Sequence, residues 1–107
     1  MHFEGVKETL GMSHPVGYPL RARIEVEFIE ADIETAFALV DMAESESGRN
    51  NFALASEVVA NAEEVCRDLD QRLARLPDKA KLPFDALVGE VRRELDLARL
   101  HSSRSNQ

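Results

Sequence analysis

The sequence contains one cysteine, no tryptophan and no long apolar run, and each absence excludes a class of protein. The single thiol, Cys66, cannot form an intramolecular disulfide, and no Cys/His pair has the spacing of zinc ligands. No run of about 18 apolar residues is present, so we expect no segment that spans a bilayer. The N-terminus lacks the basic and apolar regions of a secretory signal, which predicts a cytoplasmic protein.

Glycine and proline are concentrated near the N-terminus, where Gly5, Gly11, Pro15, Gly17 and Pro19 stand. These residues interrupt regular structure, so we expect an irregular arm over residues 1–19. The following residues, 20–101, have the length of a single domain with its own core. The polar residues 102–107 predict a flexible tail.

Basic residues are scarce in the first part of the chain. Residues 1–66 carry 4 Lys/Arg against 13 Asp/Glu, whereas residues 67–107 carry 9 against 7. The net charge of −7 repels phosphate backbones and anionic lipids. We therefore expect neither nucleic acid nor a membrane surface as a partner.

Apolar and small residues recur at alternating spacings of three and four residues, which is typical of helices that pack along a seam. The pattern predicts helices over about residues 20–47, 51–76 and 83–101, with breakers at Gly48 and Pro77. Pro83 suits the first turn of the third helix. The seam residues are Val26, Ile29, Ile33, Ala36, Val40, Ala43 and Ser47 in the first helix; Phe52, Ala55, Val59, Ala62, Cys66, Leu69, Leu73 and Leu76 in the second; and Phe84, Val88, Val91, Leu95 and Ala98 in the third.

A chain reversal after the first helix places the first two seams face to face, with Ala43 opposite Ala55 and Ala36 opposite Ala62. Because alanine leaves little bulk between the backbones, we expect the closest approach of the two helices at these residues. The predicted fold class is all-α: an antiparallel helical hairpin with a third helix packed on it as a three-helix bundle.

Residues 20–28 alternate apolar and charged side chains, which also fits a half-buried strand. No second strand candidate exists to pair with this segment. Opposite charges at helical i,i+4 spacing, Arg21/Glu25 and Arg23/Glu27, favour a helix. We therefore predict that the first helix includes residues 20–28.

Residues 36–62 resemble a single helical hairpin of the tetratricopeptide-repeat kind and, equally, the first two helices of microtubule-interacting-and-trafficking domains. The residues that carry the resemblance are Ala36, Leu39, Ala43, Asn50, Asn51, Phe52, Ala55 and Ala62. Val59 departs from the pattern, because an aromatic residue is usual there, and no second copy follows at about 34 residues. The resemblance implies a helical hairpin that binds another protein.

No arrangement of residues with catalytic or metal-binding chemistry is evident. Cys66 lies on the seam opposite Ile33, without a histidine nearby in sequence, so we expect a buried, unreactive thiol. The histidines, His2, His14 and His101, lie towards the two ends of the chain. The acidic residues lack the Glu-x-x-His pairs of a di-iron bundle, and no Gly-rich phosphate loop is present. We expect no enzymatic activity, no cofactor and no metal.

Apolar residues off the seams exceed what three helices are expected to cover, which predicts a protein-binding surface. Leu39, Met42 and Leu54 cluster near the turn, beyond the expected reach of a third helix of about 18 residues and about 27 Å. We predict a non-enzymatic interaction module that binds a protein partner or, as the simplest case, a second copy in a homodimer.

The alternative is a small-ligand-binding or regulatory domain. In this alternative, the open end of the hairpin forms an apolar pocket of roughly 300 Å³ or more. The residues expected to line the pocket are Val26, Phe28, Leu73 and Phe84. A closed, packed end favours the interaction module instead.

Overall fold

A computed structural model describes residues 20–103, which form three α-helices. Helix α1 spans Leu20–Gly48, α2 spans Phe52–Ala74 and α3 spans Asp78–Ser102. Each helix packs against the other two. The predicted all-α fold is confirmed, and no strand occurs within residues 20–103. The predicted arm, residues 1–19, and most of the predicted tail, residues 104–107, lie outside the described residues.

The alternating segment at the start of α1 is helical, as predicted, and its alternation has a specific cause. Val26 is buried and Ala22 packs against the core, whereas Leu20, Ile24 and Phe28 are exposed. At 3.6 residues per turn, positions 22 and 26 share one face of a helix, and positions 20, 24 and 28 share a nearly opposite face. Two apolar faces on one helix therefore produce the strand-like pattern.

The turn between α1 and α2 depends on Asn50, whose φ is 65°. Asparagine adopts this left-handed region more readily than most residues that carry a side chain. The backbone N–H of Asn51 donates to the Glu46 carbonyl at 2.8 Å, and the Asn51 side chain donates to Glu46 Oε1 at 3.2 Å. The reversal predicted near Gly48 thus takes place at Asn50, and α2 begins at Phe52.

Helix α3 begins at Asp78, so the predicted start at Pro83 is wrong by five residues. The carbonyl of Pro77 accepts the N–H of Ala80 at 2.9 Å, which closes the first turn. Ala80 is buried, as is Phe84 one turn later, so core packing extends upstream of the proline. Near a helix start, Pro83 removes a single backbone hydrogen bond, and the burial of these neighbours offsets that loss.

The core lies between the three helices and includes buried alanines from each of them. Arg75 Nη1 lies 3.0 Å from Glu25 Oε2, and the two residue numbers sum to 100, close to the 98 of the predicted Ala43/Ala55 pair. This ion pair shows that α1 and α2 run antiparallel. The seam alanines expected at the closest approach are fully buried: Ala36, Ala43, Ala55 and Ala62.

Candidate interaction surface

Seven exposed residues form a stripe along α1 on the side away from the core. They are apolar or small and recur at spacings of 4, 4, 3, 4, 3 and 4 residues. This α1 stripe consists of Leu20, Ile24, Phe28, Ala31, Thr35, Ala38 and Met42. Leu20 is 62% exposed, Phe28 48% and Met42 49%. At about 1.5 Å per residue the stripe is about 33 Å long. Helix α1 therefore presents a second seam of the kind that packs against another helix.

Carboxylates border the α1 stripe on both sides. On α1, Glu34 and Asp41 are exposed, each one position before a stripe residue. On α2, Asp68 interacts with Asp32 of α1. Glu64 lies one helical turn before Asp68 and Glu57 lies three turns before it, and both are exposed. We call Glu34, Asp41, Glu57 and Glu64 the acidic rim. No ion pair joins the rim to a basic side chain among the residues that the structure describes.

The side chain of Arg72 on α2 connects the α1 stripe to the body of the bundle. Its guanidinium carbon lies 4.4 Å from the centroid of the Phe28 ring. Arg72 Nη1 donates to Glu25 Oε1 at 3.2 Å, and Arg72 Nε donates to Asp68 Oδ2 at 2.8 Å. Arg72 thus contacts Phe28 and Glu25 on α1 and Asp68 on its own helix, α2. These contacts hold the exposed Phe28 ring in a defined position on the stripe.

Asp32 lies beside the same cation, with its Oδ2 3.6 Å from Arg72 Nε. Burial of the carboxyl group raises the pKa of Asp32 to about 6, assisted by its hydrogen bond to Asp68 and opposed by Arg72. The hydrogen bonds from Asp32 and Arg72 lower the pKa of Asp68. A proton between the two carboxyl groups therefore belongs mainly to Asp32.

The surface predicted near the turn is only partly exposed. Met42 and Leu54 are 49% and 39% exposed, whereas Leu39 packs partly buried against the core. The expectation that the third helix stops short of this end is wrong, because His101 Nδ1 in α3 lies 2.7 Å from Glu44 Oε1 in α1. Of the three predicted residues, Met42 also belongs to the α1 stripe.

A crevice of about 260 Å³ lies at the turn end of the bundle. The Oγ of Ser47 is buried and has no hydrogen-bond partner among the described residues. The crevice is lined by Glu44, Ser47, Gly48, Asn50, Phe52 and His101. Its polar side chains could hold a small polar molecule.

The opposite end of the bundle does not have the arrangement expected for an apolar pocket. Val26 and Phe84 are buried in one packed cluster, and Leu73 packs against it. Phe28 lies outside this cluster and is 48% exposed. Three of the four residues expected to line the pocket therefore pack against one another.

Cys66 packs against the core but is only partly buried, so the predicted burial is incomplete. It lines a crevice of about 360 Å³ between α2 and α3. Two ion pairs join α2 and α3 in this region: Arg99 with Glu63 at 2.7 Å, and Arg92 with Asp70. Burial raises the pKa of the Cys66 thiol, as does Asp70, while Arg92 and Arg99 oppose the rise. The thiol is therefore protonated at neutral pH.

Sequence reasoning identified Met42 as a surface residue but missed Leu20, Ile24 and Phe28. The available signal was their spacing of four residues, which places them on one helical face. The signal was obscured because Ala22 and Val26 of the buried seam stand between them. Four exposed leucines of α3 form no comparable stripe, and the outer two are 18 residues apart: Leu82, Leu87, Leu97 and Leu100.

None of the three described helices has the length and hydropathy needed to traverse a bilayer. Within residues 20–103, no group of three or more His, Cys, Asp or Glu side chains is placed to hold a metal ion. Comparison of the chain with family models, with curated protein sequences and with solved structures found no match.

Proposed function

We propose that this chain is a non-enzymatic helical interaction module that binds a helix of another protein or of a second copy. The observation that supports the proposal is the α1 stripe, which extends over most of α1 and is exposed along its whole length. A stripe with alternating three- and four-residue spacing is complementary to the apolar face of another helix. Helix α1 thus has one seam for its own bundle and one for a partner.

Burial of the large stripe residues provides the driving force for this association. Leu20, Ile24, Phe28 and Met42 are 62%, 45%, 48% and 49% exposed. Each square ångström of apolar surface removed from water contributes about 25 cal/mol. Ala31 and Ala38 lie between the large side chains and allow a partner backbone to approach closely. The resemblance of residues 36–62 to protein-binding hairpins is consistent with this role.

Site-specific photo-cross-linking in cells that produce the protein tests the proposal. A photoreactive amino acid at Ala31 or Ala38 should yield a cross-linked protein or a cross-linked dimer of the chain. The matched control carries the same amino acid at Asp85, an exposed residue of α3. Equal cross-linking from Asp85 would contradict the proposal, as would exclusive cross-linking from Ala31 and Ala38 to residues 1–19 of the same chain.

Binding of a small polar ligand in the turn crevice is a second candidate function. The observation that favours it is the unpartnered Ser47 Oγ beside the Glu44–His101 pair. Removal of a buried hydroxyl without a partner should stabilise the chain by about 1 kcal/mol in Ser47→Ala. A polar compound that binds the crevice should raise the melting temperature of the parent more than that of Ser47→Ala. Equal shifts in both proteins would remove the support for this candidate.

A further inference from the structure

The acidic rim specifies the kind of helix that the α1 stripe binds. We infer that the occupant is a cationic amphipathic helix of another protein, with an apolar face flanked by lysine or arginine. This inference rests on the proposed function and deepens it by assigning the chemical class of the partner.

The acidic rim is complementary in charge to a basic helix. Glu34 and Asp41 lie beside the stripe on α1, and helical periodicity places Glu57 and Glu64 on the face of α2 that carries Asp68, on the other side of the stripe. All four are exposed, and none is neutralised by a basic side chain within residues 20–103. A docked helix with basic residues at its flanking positions would pair with both sides of the rim, whereas like charges at those positions would oppose docking.

Repulsion between like charges disfavours a second copy as the occupant. Beyond Arg23, every charged residue of α1 is acidic, so two α1 helices would oppose carboxylates along most of their length. The only basic residues of α1 are Arg21 and Arg23, in its first turn. An antiparallel pair could therefore form favourable contacts only at its two ends.

The length of the α1 stripe and the position of Phe28 suit a helical partner. The stripe is about 33 Å long, which corresponds to a partner helix of about 22 residues. Phe28 lies within it, held by the guanidinium of Arg72 at 4.4 Å. The charge of Arg72 is itself compensated by Glu25, Asp32 and Asp68, so this cation does not repel a basic partner. A fixed aromatic side chain inside an apolar stripe is a typical anchor of a protein interface.

The test uses the full chain and three helical peptides of about three heptads. One peptide has leucine at its seam positions and lysine at its flanks, and the second has the same seam with glutamate at its flanks. The third has the composition of the first in scrambled order, without an apolar face. Fluorescence anisotropy measures binding to the parent, to a rim variant (Glu34→Lys, Glu57→Lys) and to a stripe variant (Ile24→Gln, Met42→Gln).

The Lys-flanked peptide should bind the parent at least about tenfold more tightly than either other peptide, a difference of about 1.4 kcal/mol. The rim variant should lose this preference or reverse it, whereas the same charge change on α3 (Asp85→Lys, Asp96→Lys) should leave the preference in place. The stripe variant should weaken binding of the Lys-flanked peptide. Circular dichroism of each variant verifies that the helices are intact.

Several outcomes would overturn the inference. Equal binding of the scrambled peptide would show general attraction to an acidic chain, and equal binding of the Glu-flanked peptide would show that the rim has no influence. Stripe-dependent dimerisation of the parent in sedimentation, without peptide binding, would identify a second copy as the occupant and would leave the proposed function standing. Absence of both stripe-dependent binding and stripe-dependent dimerisation would overturn the inference. The proposed function would be overturned separately if Ala31 and Ala38 also yielded no photo-cross-links to a protein or to a second copy.

Discussion

The guanidinium carbon of Arg72 on α2 lies 4.4 Å from the ring centroid of Phe28 on α1. The same side chain donates to Glu25 and Asp68, so one cation compensates partly buried carboxylates and also holds an exposed aromatic ring. The relationship joins the core of the bundle to its outer face. We therefore expect Arg72 to contribute both to the stability of the fold and to the binding of a partner.

Replacement of Arg72 by methionine should lower the melting temperature, because Glu25, Asp32 and Asp68 lose their shared cation and Phe28 loses its ring contact. The reduction should be smaller than that caused by a disrupted core, since the contact is at the surface. Differential scanning calorimetry measures the change. Arg67→Met, at an exposed arginine of the same helix, serves as the control. Equal melting temperatures for the two variants would contradict this role of Arg72.

The raised pKa of Asp32 predicts a specific dependence of stability on pH. In the unfolded chain the carboxyl group ionises near its ordinary pKa of 3.8, whereas in the folded chain it ionises at about 6. The folded state therefore holds more protons between these values, and the contribution of Asp32 to stability is present below 3.8 and lost as the pH rises to about 6.

The Asp32→Asn variant lacks this carboxyl group, so it should not lose this stability as the pH rises. Its stability should therefore exceed that of the parent by more at pH 7.5 than at pH 4. Urea denaturation at both pH values measures the two differences. Glu34→Gln, the same kind of substitution at an exposed carboxylate two residues away, serves as the control. A larger gain for Asp32→Asn at pH 4 than at pH 7.5 would show that the assigned direction of the pKa shift is wrong.

The fully buried alanines predict a steep penalty for added bulk in the hairpin. Ala55→Leu should destabilise the chain by about 1–3 kcal/mol, because the side chain would enter the space between α1 and α2. Ala60→Leu introduces the same side chain at an exposed position of α2 and should be nearly neutral. Chemical denaturation compares the two variants. Equal stability of Ala55→Leu and Ala60→Leu would be incompatible with the close approach at Ala55.

Cys66 should react slowly with a thiol reagent in the native state, because burial limits access and raises the pKa of the thiol. The rate should increase as the pH rises and should increase further in denaturant. Cys66 is the only cysteine of the chain, so the absorbance change reports on this site alone. Labelling at neutral pH as fast as in denaturant would show that the crevice does not protect the thiol.

Much of the fold follows from the sequence, because the buried seams of α1 and α2 have a regular heptad spacing. The start of α3 does not follow from the sequence, because a proline normally marks the first turn of a helix. At Pro83 the burial of Ala80 and Phe84 outweighs that local preference. The longer α3 reaches Glu44 of α1 through His101.

The candidate surface was harder to predict from the sequence than the fold. The seam periodicity identifies which residues of α1 are buried, but the four-residue spacing of the second face does not by itself show that this face is exposed. Near Ile24, the residues of this face alternate with seam residues, and the resulting pattern resembles a strand. Near the turn, the sequence shows only that more apolar side chains are present than the seams require. The acidic residues of α2 can be assigned to this surface only when the antiparallel register of α1 and α2 is known.

The most direct test of the α1 stripe is methyl NMR of the isoleucine side chains. The chain has three isoleucines, of which Ile24 is 45% exposed on the stripe while Ile29 and Ile33 are 0% and 5% exposed in the core. On titration with the Lys-flanked peptide, the Ile24 methyl signal should shift progressively to saturation, with much smaller changes at Ile29 and Ile33. An unchanged Ile24 signal at a peptide concentration that saturates the anisotropy would contradict the assignment of the α1 stripe as the binding surface.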